Sequence, residues 1–194
     1  MQKLAPAELL SLEHYARERA AIRARLIAHR RRRRLQLGAH CTLSFEDRET
    51  IRYQVQEMLR AERIFEPEGI AAELEAYNPL IPDGRNLKAT MLLEYEDPEL
   101  RAQQLATLVG IEHRVWLQVA GHERVHAIAD EDLERSTEQK TAAVHFLRFE
   151  FTPAMIAAWR GGAALAAGID LPACRVSVEP VAAETRAALL EDFG

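Results

Sequence analysis

The sequence predicts a single α+β domain, residues 1–194, built on a mainly antiparallel sheet with helices covering one face. Three observations predict it. The 194 residues suffice for one well-cored domain, and no internal repeat or low-complexity linker marks a second. Apolar and polar residues alternate over short runs in the rhythm of strands, several of them bounded by glycine turns that suit antiparallel neighbours. Between these runs stand helical stretches with recognisable start and stop residues.

The elements follow in chain order. Residues 1–33 read as a helical N-terminal arm packed on the domain, with Pro6 near a helix start and Tyr15, Ile22 and Leu26 at helical spacing. Residues 34–37 read as a strand ended by Gly38, and residues 42–45 as its hairpin partner. Asp47 suits the N-cap of a helix over 49–65, because its carboxylate can accept from the first free amides. A second helix opens at Pro67 and stops at Asn78, where the following Pro79 disfavours helical backbone. After the turn at Pro82-Asp83-Gly84, residues 87–95 are a strand, and Asp97-Pro98 starts a helix ending near Gly110. Residues 115–119 and 124–129 form a hairpin around Gly121. Residues 144–151 are the next strand, and Thr152-Pro153 caps a short helix that Gly161-Gly162 ends. Two further strands, 165–170 and 174–179, precede a C-terminal helix.

Separated by the period of two, the strands have an apolar face, including Leu43, Phe45, Leu87, Met91, Leu117, Leu147 and Phe149, and a polar one. The polar face carries Lys88, Thr90, Trp116 and Arg148. It is a candidate ligand or partner surface, although antiparallel sheets often leave one face to water.

Composition narrows the function classes. At 48% hydrophobic and 28% charged the chain reads as an ordinary folded protein. No apolar run approaches the ~20 residues needed to span a bilayer, and the charged N-terminus does not resemble a secretory signal, so a cytoplasmic location without membrane contact is expected. The cysteines, Cys41 and Cys174, cannot supply the four thiolates of a typical iron–sulfur cluster. Residues 1 to 40 hold ten Lys or Arg against three Glu, and Arg30, Arg31, Arg32, Arg33 and Arg34 are consecutive. Guanidinium forks suit anionic oxygens, which makes the run a candidate anion or nucleic-acid contact. A solvated helix end accounts for it better, since cations favour helix C-termini. Zinc-finger spacing and an aromatic RNA-binding set are both missing, so nucleic acid is not the expected partner.

Two polar residues fall on apolar faces. On a helical wheel Glu62 lies among Ile51, Val55, Met58 and Phe65, and His145 shares the strand register of Leu147 and Phe149. A carboxylate in such a place must be neutral, paired or bound, whereas a core histidine is commonly neutral and hydrogen-bonded. If they meet, Glu62 and His145 make a catalytic or metal-assisting pair. The opposite side of the same helix presents Tyr53, Glu57 and Arg60, which with Trp116 and Arg148 form the candidate ligand or partner set. His122 and His126 have helical metal spacing, but extended strands separate them by about 13 Å, so no metal set is assigned. His40 and His113 read as ordinary loop histidines. Residues 130–137 read as an acidic helix start. No phosphate-binding glycine loop or nucleophile elbow appears, and no cofactor is assigned.

Long blocks carry a resemblance: Leu9-Leu10-Ser11-Leu12-Glu13, the arginine run to Leu37-Gly38, Tyr53 through Ile64, Tyr77-Asn78 through Ile81-Pro82, Asp130 through Ser136, and Ala143 through Glu150. Through them the chain resembles the bacterial family called domain of unknown function 3501, which brings no established activity. Its members look to be encoded beside rubrerythrin-like and iron–sulfur electron-transfer proteins. The resemblance therefore implies a link to redox or oxidative-stress metabolism and a redox protein partner. Together the readings favour an accessory protein that binds such a partner or a small anionic ligand. The alternatives are an enzyme using Glu62 and His145, and a nucleic-acid binder using the arginines.

Overall fold

A computed structural model describes residues 2–131, 133 and 135–194. A short 3-10 turn at Pro6–Glu8 leads into α1 (Leu12–Arg32), β1 (Arg34–Leu37), β2 (Cys41–Glu46), α2 (Arg48–Glu62) and α3 (Pro67–Tyr77). Then come β3 (Asn86–Leu93), α4 (Pro98–Thr107), β4 (Val115–Val119), β5 (Val125–His126), β6 (Ile128–Ala129) and β7 (Val144–Glu150). The chain closes with α5 (Pro153–Arg160), β8 (Leu165–Leu171), β9 (Cys174–Val178) and α6 (Ala183–Leu190). This is the α+β antiparallel architecture the sequence predicts.

Local chemistry sets the boundaries. Ser11 caps α1 through the His14 amide, and Asp47 caps α2 by accepting from the amides of Glu49 and Thr50. The last turn of α1 carries His29, Arg30, Arg31 and Arg32, where cations oppose the helix dipole. The helix α2 stops three residues short of Phe65 because Arg63 adopts left-handed backbone (φ 55°) at its C-cap.

The strands divide between two sheets. The first has the order β1-β2-β3-β7-β6 and the second β5-β4-β8-β9, and every pairing is antiparallel. The predicted hairpin over 115–129 forms only in part. Val125 and His126 pair with Leu117 and Trp116, whereas Ile128 and Ala129 pair with Arg148 and Leu147 of the other sheet. Ala127 is the crossing point, its amide donating to the Val115 carbonyl at 2.8 Å.

The inner faces of both sheets contribute to one apolar cluster, which Trp159 of α5 and Leu189 of α6 also join. The side chains assigned to the apolar face, including Leu43, Phe45, Met91, Leu117 and Phe149, are all buried there. A second cluster holds α2 and α3 together through Ile51, Val55, Leu59, Leu74 and Ile81, with Leu4 of the N-terminal segment. Among the described residues no helix is long and apolar enough to cross a membrane. The acidic helix start predicted over 130–137 does not form at the described positions, because Ser136 and Thr137 fold back onto Glu112 and Lys140; Asp132 and Glu134 lie outside the described residues.

Candidate functional site

The outward face of the first sheet is only partly covered, and α2 and α3 overhang it. Strand register sets Glu46 opposite Lys88, and Lys88 opposite Arg148, while Ser44, Thr90 and Phe146 form the next row. Gln54 and Met58 of α2, Tyr77 of α3, and Pro79 and Leu80 close a cavity of about 630 Å³ over these rows. A second hollow of about 270 Å³ shares Glu46, Gln54 and Phe146, and continues toward Arg30 and Val144. The two make one groove.

Its floor is chemically unusual. Glu46 is buried, and its carboxylate accepts from Thr90 Oγ1 at 2.8 Å and Thr50 Oγ1 at 2.6 Å, so hydroxyls carry its hydrogen bonding. Burial lowers the Lys88 pKa below that of an ordinary lysine, against the pull of the Glu131 carboxylate 3.7 Å away. Arg148 is already engaged, gripping Glu131 through Nε and Nη2 and Glu150 through Nη1. Those hydrogen bonds push its own pKa up and hold that of Glu131 down. The sequence places Arg148 on the right face, but its charge is spent within the rim.

The Tyr53, Glu57 and Arg60 side of α2 serves a different purpose. Glu57 accepts from the Tyr15 hydroxyl at 2.6 Å and from Arg19 at 2.8 and 2.7 Å, and Arg30 lies over the Tyr53 ring at 5.7 Å. These contacts fasten α1 to α2, leaving Arg60 exposed. The Arg19 hydrogen bond holds the Glu57 pKa down at about 2, while burial and then Glu57 push Tyr15 up. The groove is instead served by Gln54 and Met58, on a neighbouring stripe of the helix.

Trp116, predicted on the open polar face, is instead buried at 2% exposure because the Arg124 guanidinium stacks over its ring at 3.9 Å and its cross-strand neighbour, Gly168, has no side chain to displace it. The arginine run is not an open strip: Arg33 is buried, Arg34 pairs with Glu94 at 3.2 Å, and Arg30 covers Tyr53. The reason is the transition from α1 to β1 inside the run, which turns successive side chains to different surroundings.

Glu62 and His145 do not form a pair. The apolar stripe of α2 is Ile51, Val55 and Leu59; Glu62 is the last helical residue and is exposed, as is Phe65 beyond it. His145 is fully buried, with Nε2 2.8 Å from Thr141 Oγ1, 3.1 Å from the Ala142 carbonyl and 3.9 Å from Glu112. A carbonyl only accepts, so Nε2 carries the proton, and burial lowers the pKa of the ring. His145 is a neutral interior imidazole. The carboxylate beside it, Glu112, is one that the sequence did not signal, because nothing in a short turn between Ile111 and His113 announces a buried acid. Cys41 and Cys174 offer little nucleophilicity, since burial pushes the first up to about 12 and raises the second.

The family model described as "Protein of unknown function (DUF3501)" matches residues 3–193. No curated protein matches the chain. A crystal structure described as a novel protein of unknown function from Burkholderia pseudomallei K96243 is 50% identical and superposes with a TM-score of 0.94, over 100% of both chains.

Proposed function

Because the chain belongs to the DUF3501 family of proteins of unknown function, which brings no activity with it, we propose that it is a non-catalytic accessory protein that holds a small amphipathic molecule in the groove between α2, α3 and the first sheet. One observation carries this reading: the apolar walls of Met58, Tyr77, Leu80 and Phe146 converge on the buried Glu46 carboxylate and the desolvated Lys88. A few polar groups fixed in a largely apolar cleft of this volume are the usual makings of a small-molecule site. The lining of the larger hollow favours a neutral or cationic ligand over the small anion expected from sequence, since Glu46, Glu73 and Glu131 stand there against Lys88. A hydroxyl or ammonium donor on the ligand suits Glu46. The redox setting implied by the resemblance supplies the context for this ligand. The two thiols do not supply the chemistry, being held protonated.

Native mass spectrometry of protein purified from its own host tests this, followed by thermal-shift screening of amines and alcohols with apolar bodies. A ligand at 100 times its Kd is expected to add about 2.7 kcal/mol of stability. Met58→Trp, which fills the groove from its wall, is expected to abolish that gain while leaving the unliganded protein folded. No bound mass and no stabilising compound, or an equal gain in Met58→Trp, would sink the proposal.

A further inference from the structure

Away from the groove, the geometry points to a site for one divalent transition-metal ion, of the Zn²⁺ or Mn²⁺ class, formed by Glu112, His113 and Asp130. One ligand atom from each lies within 4.8 Å of the others. Glu112 and His113 come from the 3-10 turn Ile111–His113, and Asp130 follows the end of β6, so two segments distant in sequence converge.

Burial and charge make the convergence informative. Glu112 is 2% exposed, and Asp130 Oδ1 is buried with no hydrogen-bond donor among the described residues. Two carboxylates held this close and largely out of water repel each other, and a positive charge between them relieves that repulsion. Among the described residues the basic partners at ion-pair distance are imidazoles: His145, 3.9 Å from Glu112, and His113, 3.7 Å from Asp130. A divalent cation between the two acids supplies the missing charge and gives the idle Asp130 oxygen a partner.

The surroundings suit this role. The Ser136 hydroxyl donates to Glu112 Oε1 at 2.5 Å and the Thr141 hydroxyl to Oε2 at 3.2 Å, and such outer hydrogen bonds fix a ligating carboxylate in place. The side chain of His113 is 56% exposed, which gives an ion a way in. One imidazole nitrogen with two carboxylate oxygens suits first-row divalent ions and leaves coordination positions for water. The residue spacing resembles no sequence motif, which is why sequence assigns no metal set here.

Isothermal titration of the chelator-treated full-length chain with ZnCl₂, and separately with MnCl₂, tests the site. One equivalent is expected to bind at least one of them with a Kd of roughly micromolar or below. His113→Ala and Asp130→Asn, with folding checked by circular dichroism, are each expected to weaken binding by about tenfold or more. A rise in melting temperature on adding metal, lost in both variants, provides a second readout. Binding of neither metal up to about 1 mM would overturn the inference. Undiminished one-equivalent binding in both variants would overturn it by placing the metal elsewhere.

Discussion

Arg33→Met is expected to destabilise the fold by about 3–5 kcal/mol, read as a lower urea midpoint with an unchanged slope. The Arg33 side chain is 1% exposed and donates to the carbonyls of Phe45, Glu46 and Ala188 at 3.2, 3.2 and 2.9 Å. It also pairs with Asp192 and, at 3.3 Å, with Asp47. Methionine keeps the apolar stem but leaves three carbonyls and a buried carboxylate uncompensated. A loss below about 1 kcal/mol would mean that water reaches these groups and that the network is not a lock. Burial outweighs even this arginine, because the Asp192 pKa is pushed up to about 6. Between the usual aspartate value and about pH 6 the folded chain therefore holds a proton that the unfolded chain releases. This contribution is complete at low pH and is lost as pH rises through about 6. Asp192→Asn has no such proton. Its melting temperature is expected to gain on the wild type between pH 4 and pH 7, and a constant difference would contradict the assignment.

Gly168→Ala carries the second large effect, about 1–3 kcal/mol of lost stability. A Cβ there would stand 2.5 Å from Trp116 Cζ2 and 2.5 Å from the Val176 carbonyl oxygen. The second obstacle is backbone of the adjacent strand β9, so rotation of the indole alone does not relieve the clash. Gly168 is not among the positive-φ residues, which makes the cost one of space rather than of backbone conformation. Urea unfolding followed by tryptophan fluorescence should show both the weaker fold and a changed native signal as the ring leaves Arg124. Stability within about 0.5 kcal/mol of the wild type would refute the close packing.

These two residues also mark what the sequence can disclose. Alternation along β2, β3 and β7 identifies the inward side chains, and Asp47 announces α2, because both signals are local. Arg33 is indistinguishable from its four arginine neighbours until α6 and the C-terminus close over it. The end of α2 lacks a glycine to mark it, so the apolar stripe extends on paper to Glu62 and Phe65. The groove is legible as a polar sheet face, but the α2 stripe above it is that of Gln54 and Met58, because α1 occupies Tyr53 and Glu57. Glu112 and Asp130 meet only through pairing of distant segments, which no periodicity encodes.

The crossing at Ala127 has a consequence for how the molecule comes apart. Five residues, Val125 to Ala129, hydrogen-bond to one sheet at their start and to the other at their end. Neither sheet can fray along this boundary without drawing the shared segment out of its companion. Among the described residues this shared segment ties the two sheets together, so their loss is expected to be a single cooperative event.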